Sequence, residues 1–246
     1  MAQNIYDDQA FFEGYSQIPR SRLGLAGAPE WPALKAMLPD VKGLRVLDLG
    51  CGFGAFGRWA IENGAANVLG VDLSEKMLET ARERTGDMPI TYVQANLETY
   101  EPAADAYDLV YSTLAVHYLE DFDAFCRKVR AALGDAGAFV FTTEHPIFAA
   151  RANPEWITDA AGKRAYAISD YNVEGPRLTN WIAEGVVKYH RTIATMVNTL
   201  RRHGLVIEAL DEWGPTTEEL AAMPTLADEV VRPQLLLVST RVATGS

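Results

Sequence analysis

The sequence has only two cysteines, Cys51 and Cys126, among its 246 residues. So few thiols, one of them inside a glycine-rich segment, argue against a disulfide framework. No apolar run approaches the roughly 18–20 residues of a membrane span. The N-terminal residues also lack the basic start and apolar stretch of a signal peptide. We therefore expect a cytoplasmic protein that has no membrane partner.

Positive charge is scarce as well. The chain has 22 Lys and Arg residues against 33 Asp and Glu residues, which gives a formal net charge of −11. Because an acidic surface repels phosphate backbones, we expect a small-molecule substrate and no nucleic acid. We also expect no metal, and the sequence leaves the oligomeric state open.

Short apolar runs alternate with helix-periodic runs from about residue 44 to residue 143. The pattern predicts strands at 44–49, 68–71, 90–93, 107–112 and 138–143, and helices at about 55–63, from Ser74 onward, and from Phe122 up to Gly134. Strands that alternate with helices form a parallel sheet, which binds ligands beyond the carboxyl ends of its strands. The sequence therefore predicts an α/β fold with such a site.

The alternation stops after residue 143. Residues 144–191 contain no clean strand pattern, and a long insertion at this point is typical of a substrate-capping segment. A helix at 192–203 and a strand at 205–210 follow, then a second loop at 211–233 and a last strand at 235–239. Residues 1–40 are predicted to form N-terminal lid helices. We interpret residues 1–246 as one domain.

A glycine-rich segment follows the first predicted strand. Gly50, Gly52 and Gly54 allow the backbone to pass close beneath a ligand at the turn from strand to helix. However, Gly52, Gly54 and Gly57 also fit the G-x-G-x-x-G fingerprint of dinucleotide sites, and Asp72 follows at about the twenty-residue spacing of the ribose-binding acid. The glycines alone leave two kinds of cofactor open.

Asp48 distinguishes between the two kinds of cofactor. A dinucleotide would bring a dianionic pyrophosphate to the loop, and the Asp48 carboxylate would repel it. S-adenosylmethionine (SAM) instead brings a cationic sulfonium and an α-ammonium group, which a carboxylate attracts. Too little chain remains for the catalytic domain of a dehydrogenase. The charge therefore favours SAM, with a nicotinamide-dependent oxidoreductase as an alternative.

Three segments resemble motifs of the class I SAM-dependent methyltransferases. Residues 48–54, Asp-Leu-Gly-Cys-Gly-Phe-Gly, are similar to the first motif, residues 71–74 to the second, and residues 107–110 to the motif of strand four. The resemblance implies a Rossmann-like, seven-stranded, mostly parallel sheet with one antiparallel strand and a capping insertion after strand five. It implies SAM as the cofactor and S-adenosylhomocysteine (SAH) as the product.

The resemblance also implies roles for residues around the glycine loop. Asp72 would hold both ribose hydroxyls, which suits the two oxygens of a carboxylate. Leu73 and Met77 would flank the adenine. We interpret Cys51 as a small filler within the cofactor-binding loop and not as a nucleophile, because nothing near it in sequence supplies a base.

Two further segments complete the implied cofactor site. Ala95, Asn96 and Leu97 resemble the segment that reads the adenine edge. Many relatives have Asp at the position of Asn96, but the side-chain oxygen of Asn can also accept a hydrogen bond from the adenine amine. Thr113 and Leu114 would line the methionine arm.

The N-terminal residues are expected to close over the cofactor. Phe11 and Tyr15 have the i, i+4 spacing of one helix face. We expect Tyr15 to contact SAM, and Arg20 or Arg22 to pair with the SAM carboxylate.

Three histidines follow elements that should surround the methyl acceptor. His117 follows strand four, His145 follows strand five beside Glu144, and His190 ends the insertion. We treat them as candidate catalytic residues, because a general base is needed when the acceptor loses a proton. Structural hydrogen bonding is the alternative for each of them.

Aromatic residues in and near the insertion suggest a flat acceptor, because such rings stack on planar molecules. The candidates are Tyr118, Phe148, Trp181 and Tyr189. The chain resembles a bacterial group of small-molecule methyltransferases of secondary metabolism, among them enzymes that N-methylate azapteridines in toxoflavin biosynthesis. We expect N- or O-methylation of an aromatic or heterocyclic metabolite.

Two functions other than small-molecule methylation would also use SAM. DNA amino-methyltransferases carry an Asn/Asp-Pro-Pro-aromatic motif after strand four, where this chain has Ser-Thr-Leu-Ala at 112–115, and cytosine-C5 enzymes need a Pro-Cys pair, which does not occur. A non-catalytic SAM-binding regulator remains an alternative to an enzyme, although it would not need the histidines.

Overall fold

The structure is a computed structural model that describes residues 3–152 and 155–243. Residues 1, 2, 153, 154 and 244–246 of the predicted domain lie outside the described residues. The strands are β1 (Arg45–Leu49), β2 (Asn67–Asp72), β3 (Ile90–Gln94), β4 (Tyr107–Thr113), β5 (Leu133–Glu144), β6 (Trp156–Thr158), β7 (Arg164–Tyr166), β8 (Gly175–Trp181), β9 (Ala183–His190), β10 (Leu205–Trp213) and β11 (Leu235–Val242).

Helices connect these strands and precede the first of them. They are α1 (Gln9–Ser16), α2 (Pro19–Leu23), α3 (Trp31–Ala36), α4 (Ala55–Glu62), α5 (Glu75–Thr85), α6 (Phe122–Ala132), α7 (Pro146–Ala149), α8 (Ile193–Arg202), α9 (Thr217–Ala222) and α10 (Ala227–Val231). The helix predicted from Ser74 onward is α5, and the Ser74 side chain caps it by accepting a hydrogen bond from the Met77 N–H.

Seven strands form one sheet in the order β10-β11-β5-β4-β1-β2-β3. Strand β11 runs antiparallel to both of its neighbours, β5 and β10, whereas the other pairings are parallel. The predicted fold class is therefore confirmed. Two apolar clusters pack against the sheet; Phe125 of α6 and Leu200 of α8 belong to one, and Phe56 of α4 belongs to the other.

The insertion differs from its prediction. Residues 144–191 contain two antiparallel hairpins, β6-β7 and β8-β9, where the sequence indicated no clean strand. Residues of β8 alternate between half-buried and exposed positions. Such a strand covers another surface without entering a core, so it has no apolar run that would reveal it.

Other element boundaries differ at strand ends. β5 begins at Leu133, directly after α6 and five residues before its predicted start, so Gly134 lies within the strand and does not stop the helix. β10 and β11 extend three residues beyond their predicted ends, to Trp213 and Val242, because they pair with each other over their full length. Two short helices, α9 and α10, lie within the predicted loop at 211–233.

Candidate active site

A large cavity lies at the carboxyl ends of β1, β2 and β4, where a parallel sheet is expected to bind its ligand. Its volume is about 490 Å³, which suits a small-molecule site. The predicted cofactor residues that line it are Tyr15, Asp48, Gly50, Cys51, Gly52, Asp72, Leu73, Met77, Asn96, Leu97, Thr113 and Leu114.

The glycine-rich turn forms the floor of this cavity. The Gly50 N–H donates to the Val71 carbonyl at 2.8 Å, and a Cβ at Gly50 would lie 2.4 Å from the Ala115 Cβ. Gly52 has a φ of +50°, which glycine adopts without strain. Gly54 is the left-handed N-cap of α4 and shapes the turn without lining the cavity.

The Asp72 carboxylate lies at the end of β2 and is held by two backbone groups. Its Oδ2 accepts from the Gly52 N–H at 2.8 Å, and its Oδ1 accepts from the Ser74 N–H at 3.0 Å. Burial raises the pKa of Asp72, and these hydrogen bonds lower it. Each carboxylate oxygen keeps a further acceptor site, so Asp72 is suited to receive two ribose hydroxyls.

Asp48 is 2% exposed at the end of β1, close to Asp72. Burial, together with the charge of Asp72, raises the pKa of Asp48 to about 8. A pyrophosphate here would add more negative charge, whereas a cation would favour the ionised carboxylate. The pair of carboxylates therefore fits the ammonium and ribose groups of SAM and does not fit a dinucleotide.

Leu73, Met77, Asn96 and Leu97 form the wall expected for adenine. The Asn96 Oδ1 accepts from the Glu98 N–H at 3.0 Å, so one of its two acceptor sites is used by the chain itself. Ala95 packs on the core beneath this wall and does not line the cavity.

A strained residue directly follows strand β4. Leu114 has a φ of +53°, a left-handed conformation that is uncommon for a non-glycine residue. Its N–H donates to the Thr142 carbonyl of β5 at 3.1 Å, and Thr113 Oγ1 lies 2.8 Å from Thr142 Oγ1. Such strain is concentrated at functional sites, and here it turns the chain at the cavity wall.

The N-terminal helices cover the cavity, and one of the two candidate arginines lines it. Arg22 is exposed and does not line the cavity, whereas Arg20 does, with its Nη2 2.6 Å from Glu30 Oε1. Which arginine binds the SAM carboxylate stays a prediction, and this geometry favours Arg20 over Arg22. Residues that are two positions apart on a helix point in different directions, so only one of the two arginines can face the site.

Residues 3–6 belong to the predicted N-terminal lid, but the sequence did not indicate which contacts place them at the cavity. Gln3 forms two hydrogen bonds with the backbone of β9, at Gly185 O and Val187 N, each 2.9 Å. The Tyr6 hydroxyl lies 3.1 Å from the Tyr118 hydroxyl. These contacts are long-range, and no local motif signals them.

His145 does not line the cavity, and both of its ring nitrogens bind protein groups. Its Nδ1 accepts from the Ile147 N–H at 3.0 Å and caps α7, so its Nε2 carries the proton and donates to Glu212 Oε1 at 2.8 Å. Burial lowers the pKa of His145. This arrangement is structural, and it does not support contact with an acceptor.

His117 and His190 also lie outside the large cavity. His117 Nδ1 accepts from the Glu144 N–H at 3.4 Å, and His190 Nε2 donates to the Tyr171 carbonyl at 2.8 Å. Burial lowers the pKa of each histidine. The catalytic role of the three histidines stays a prediction that this geometry does not favour.

The predicted acceptor residues separate into two groups. Tyr118 and Tyr189 line the large cavity. Phe148 and Trp181 instead line a smaller cavity of about 100 Å³ behind the β8-β9 hairpin. Trp181 also packs edge-on against Tyr15, with ring centroids 6.0 Å apart, so it supports the site from outside.

Neither a metal site nor a membrane-spanning helix is found in the described ranges. There, no three His, Cys, Asp or Glu side chains are grouped as metal ligands. In the same ranges no helix has the length and apolarity to cross a bilayer.

Comparison with known proteins gives consistent results. Residues 46–137 match the family model of a methyltransferase domain. The crystal structure of an S-adenosylmethionine-dependent methyltransferase from Mesorhizobium loti is 54% identical, with a TM-score of 0.85, and the match covers 89% of this chain and all of that one. A Listeria monocytogenes protein assigned to the same enzyme class is 41% identical, with a TM-score of 0.80, over 89% of this chain and 99% of that one.

A curated relative with a named substrate matches over a shorter region. The malonyl-[acyl-carrier protein] O-methyltransferase of Enterobacter lignolyticus is 38% identical over 112 residues. These residues are 45% of this chain and 43% of that enzyme, so the match spans less than half of either protein.

Proposed function

The chain belongs to the SAM-dependent methyltransferases, and on that premise we propose that it methylates a nitrogen or oxygen atom of a small, flat aromatic or heterocyclic molecule. SAM supplies an activated methyl group on a sulfonium. In the proposed arrangement Asp72 binds the ribose, Asp48 faces the ammonium group, and Leu73 and Met77 flank the adenine. The acceptor occupies the remaining space.

The charge of the cavity is the observation that supports this class of acceptor. Asp48, Asp72, Glu98 and Glu120 line it, and Arg20 is the one Lys or Arg side chain among its described lining residues. Arg20, which is paired with Glu30, is expected to bind the SAM carboxylate and not the acceptor. In this arrangement SAM engages Asp48 and Asp72, so a free carboxylate acceptor would meet Glu98 and Glu120 with no further Lys or Arg among the described lining residues to bind it. A neutral or cationic acceptor is therefore favoured over a fatty acid or a malonyl group.

Part of the cavity wall is aromatic. Tyr6, Tyr15, Tyr118 and Tyr189 line the cavity there and offer ring faces and edges to a planar molecule. Burial raises the pKa of Tyr6 and of Tyr118, so both hydroxyls stay neutral and act as hydrogen-bonding groups. Their task is to orient the acceptor atom and exclude water, which suits an in-line displacement.

A screen with labelled SAM tests the proposal. Ring nitrogens (an azapteridine included), phenols and carboxylic acids (a fatty acid and a malonyl-acyl carrier protein included) are compared at equal concentration. We expect label in the planar heterocycles or phenols, and none with the Asp72→Ala variant. Faster transfer to the carboxylic acids would refute the proposed acceptor class.

A further inference from the structure

Arg20 and Glu30 form an ion pair at the wall of the large cavity. Arg20 lies in α2 and lines the cavity, whereas Glu30 lies behind it, 1% exposed, just before α3. The Glu30 Oε1 accepts from Arg20 Nη2 at 2.6 Å. The pair therefore connects two N-terminal helices at a point that faces the ligand space.

The burial of this ion pair opposes folding more than an apolar contact between the two helices would. Glu30 Oε2 is buried and has no hydrogen-bond partner among the described residues. Desolvating a carboxylate that is only partly satisfied opposes folding, and an apolar contact would join the helices at lower cost. The cost indicates a role for the guanidinium that Glu30 holds.

The position of α2 identifies that role. A Cβ at Gly24, which directly follows α2, would lie 3.5 Å from the Ala55 Cβ at the start of α4. Arg20 is thus close to the glycine-rich turn, the end of the cavity where Asp48 lies and where the amino-acid end of SAM is expected. The amino end of α4 adds partial positive charge to the same region.

We propose that Glu30 is a positioning residue, which holds the Arg20 guanidinium where it binds the α-carboxylate of SAM. This inference rests on the proposed SAM site. Glu30 accepts one of the five N–H groups of Arg20 and leaves the others for the cofactor. Asp48 then faces the ammonium group, so the two opposite charges of the amino-acid end meet separate partners. A held side chain also loses less freedom on binding.

Calorimetry with two ligands tests this role without measuring activity. One ligand is SAH, and the other is its analogue with hydrogen in place of the α-carboxylate. We expect Glu30→Gln to weaken SAH binding roughly tenfold and to change analogue binding less than twofold, because only SAH uses the guanidinium. Glu208→Gln, which breaks the exposed Glu208–Arg241 pair elsewhere, is the matched control and should change neither.

The possible outcomes distinguish the positioning role of Glu30 from the SAM site itself. If Glu30→Gln weakened the binding of both ligands equally, or changed the binding of neither, the positioning role would be overturned while the SAM site stands. Wild-type protein that binds neither ligand would overturn the site itself. Should Glu30→Gln not fold, Arg20→Lys retains the charge but loses the planar fork. It should then show the same selective loss for SAH, and equal affinity for SAH in this variant and the wild type would contradict the proposal.

Discussion

Replacing Asp48 with Asn should stabilise the ligand-free protein and weaken cofactor binding. Asp48 is buried, and its pKa is raised from an ordinary value of 3.8 to about 8. Between these two pH values the folded protein keeps the proton while the unfolded chain releases it. Stability is therefore lost as the pH rises from about 4 to about 8. An asparagine of the same shape removes this loss.

The size of the effect follows from the same shift. At pH 7 the full pKa shift makes the free energy of unfolding about 4 kcal/mol higher for Asp48→Asn than for the wild type, and near pH 4 this difference vanishes. If structural relaxation around Asp48 halves this difference, the remaining difference of about 2 kcal/mol would raise the midpoint of thermal unfolding by about 4–8 °C. Asp87→Asn makes the same change at an exposed position and should leave the midpoint unaltered at both pH values.

The affinity for SAH should rise with pH, whereas the stability of the ligand-free protein falls. The ammonium group of SAH favours ionised Asp48, so binding to the wild type should release a proton and strengthen up to tenfold per pH unit from pH 6 to pH 8. Calorimetry of SAH in two buffers of different ionisation enthalpy measures this release, which Asp48→Asn should lose together with affinity. If Asp48→Asn bound SAH as tightly as the wild type, or were less stable at pH 7, the reasoning would be refuted.

Three other substitutions test single positions. Asp72→Ala should abolish SAH binding in calorimetry, because the ribose loses both of its acceptors, while circular dichroism shows an intact fold; unchanged affinity would contradict the ribose assignment. Arg22→Ala should leave SAH affinity within twofold, since this side chain is exposed, and a loss like that of Arg20→Lys would instead indicate Arg22 as the partner of the carboxylate. His145→Ala should lower stability by about 0.5–2 kcal/mol through the lost helix cap. It should leave KM unchanged, and a selective fall in turnover at full stability would return His145 to the acceptor side.

The cofactor half of the site could be predicted because its chemistry is local. Asp48, the glycines and Asp72 lie at consecutive strand ends, and the parallel sheet brings those ends to one edge. The side chain that each role needs is therefore close in sequence to the strand that positions it. Twelve of the predicted cofactor residues line the cavity.

The part of the cavity proposed for the acceptor could not be predicted in the same way, since distant segments build it. Gln3 and Tyr6 reach the cavity through contacts with β9 and with Tyr118, more than 100 residues away. His145 does follow β5 as predicted, but the chain enters α7 there and the imidazole becomes its cap. A position at a strand end specifies proximity to the site, and the direction of the side chain depends on the next element.

A crystal structure of the complex with SAH tests the central claim most directly. We predict both ribose hydroxyls at hydrogen-bond distance, about 2.7 Å, from the Asp72 carboxylate, and the ammonium group beside Asp48. The sulfur should face the space that Tyr6 and Tyr118 border. SAH bound away from Asp72, or with its adenine between those tyrosines, would contradict the account.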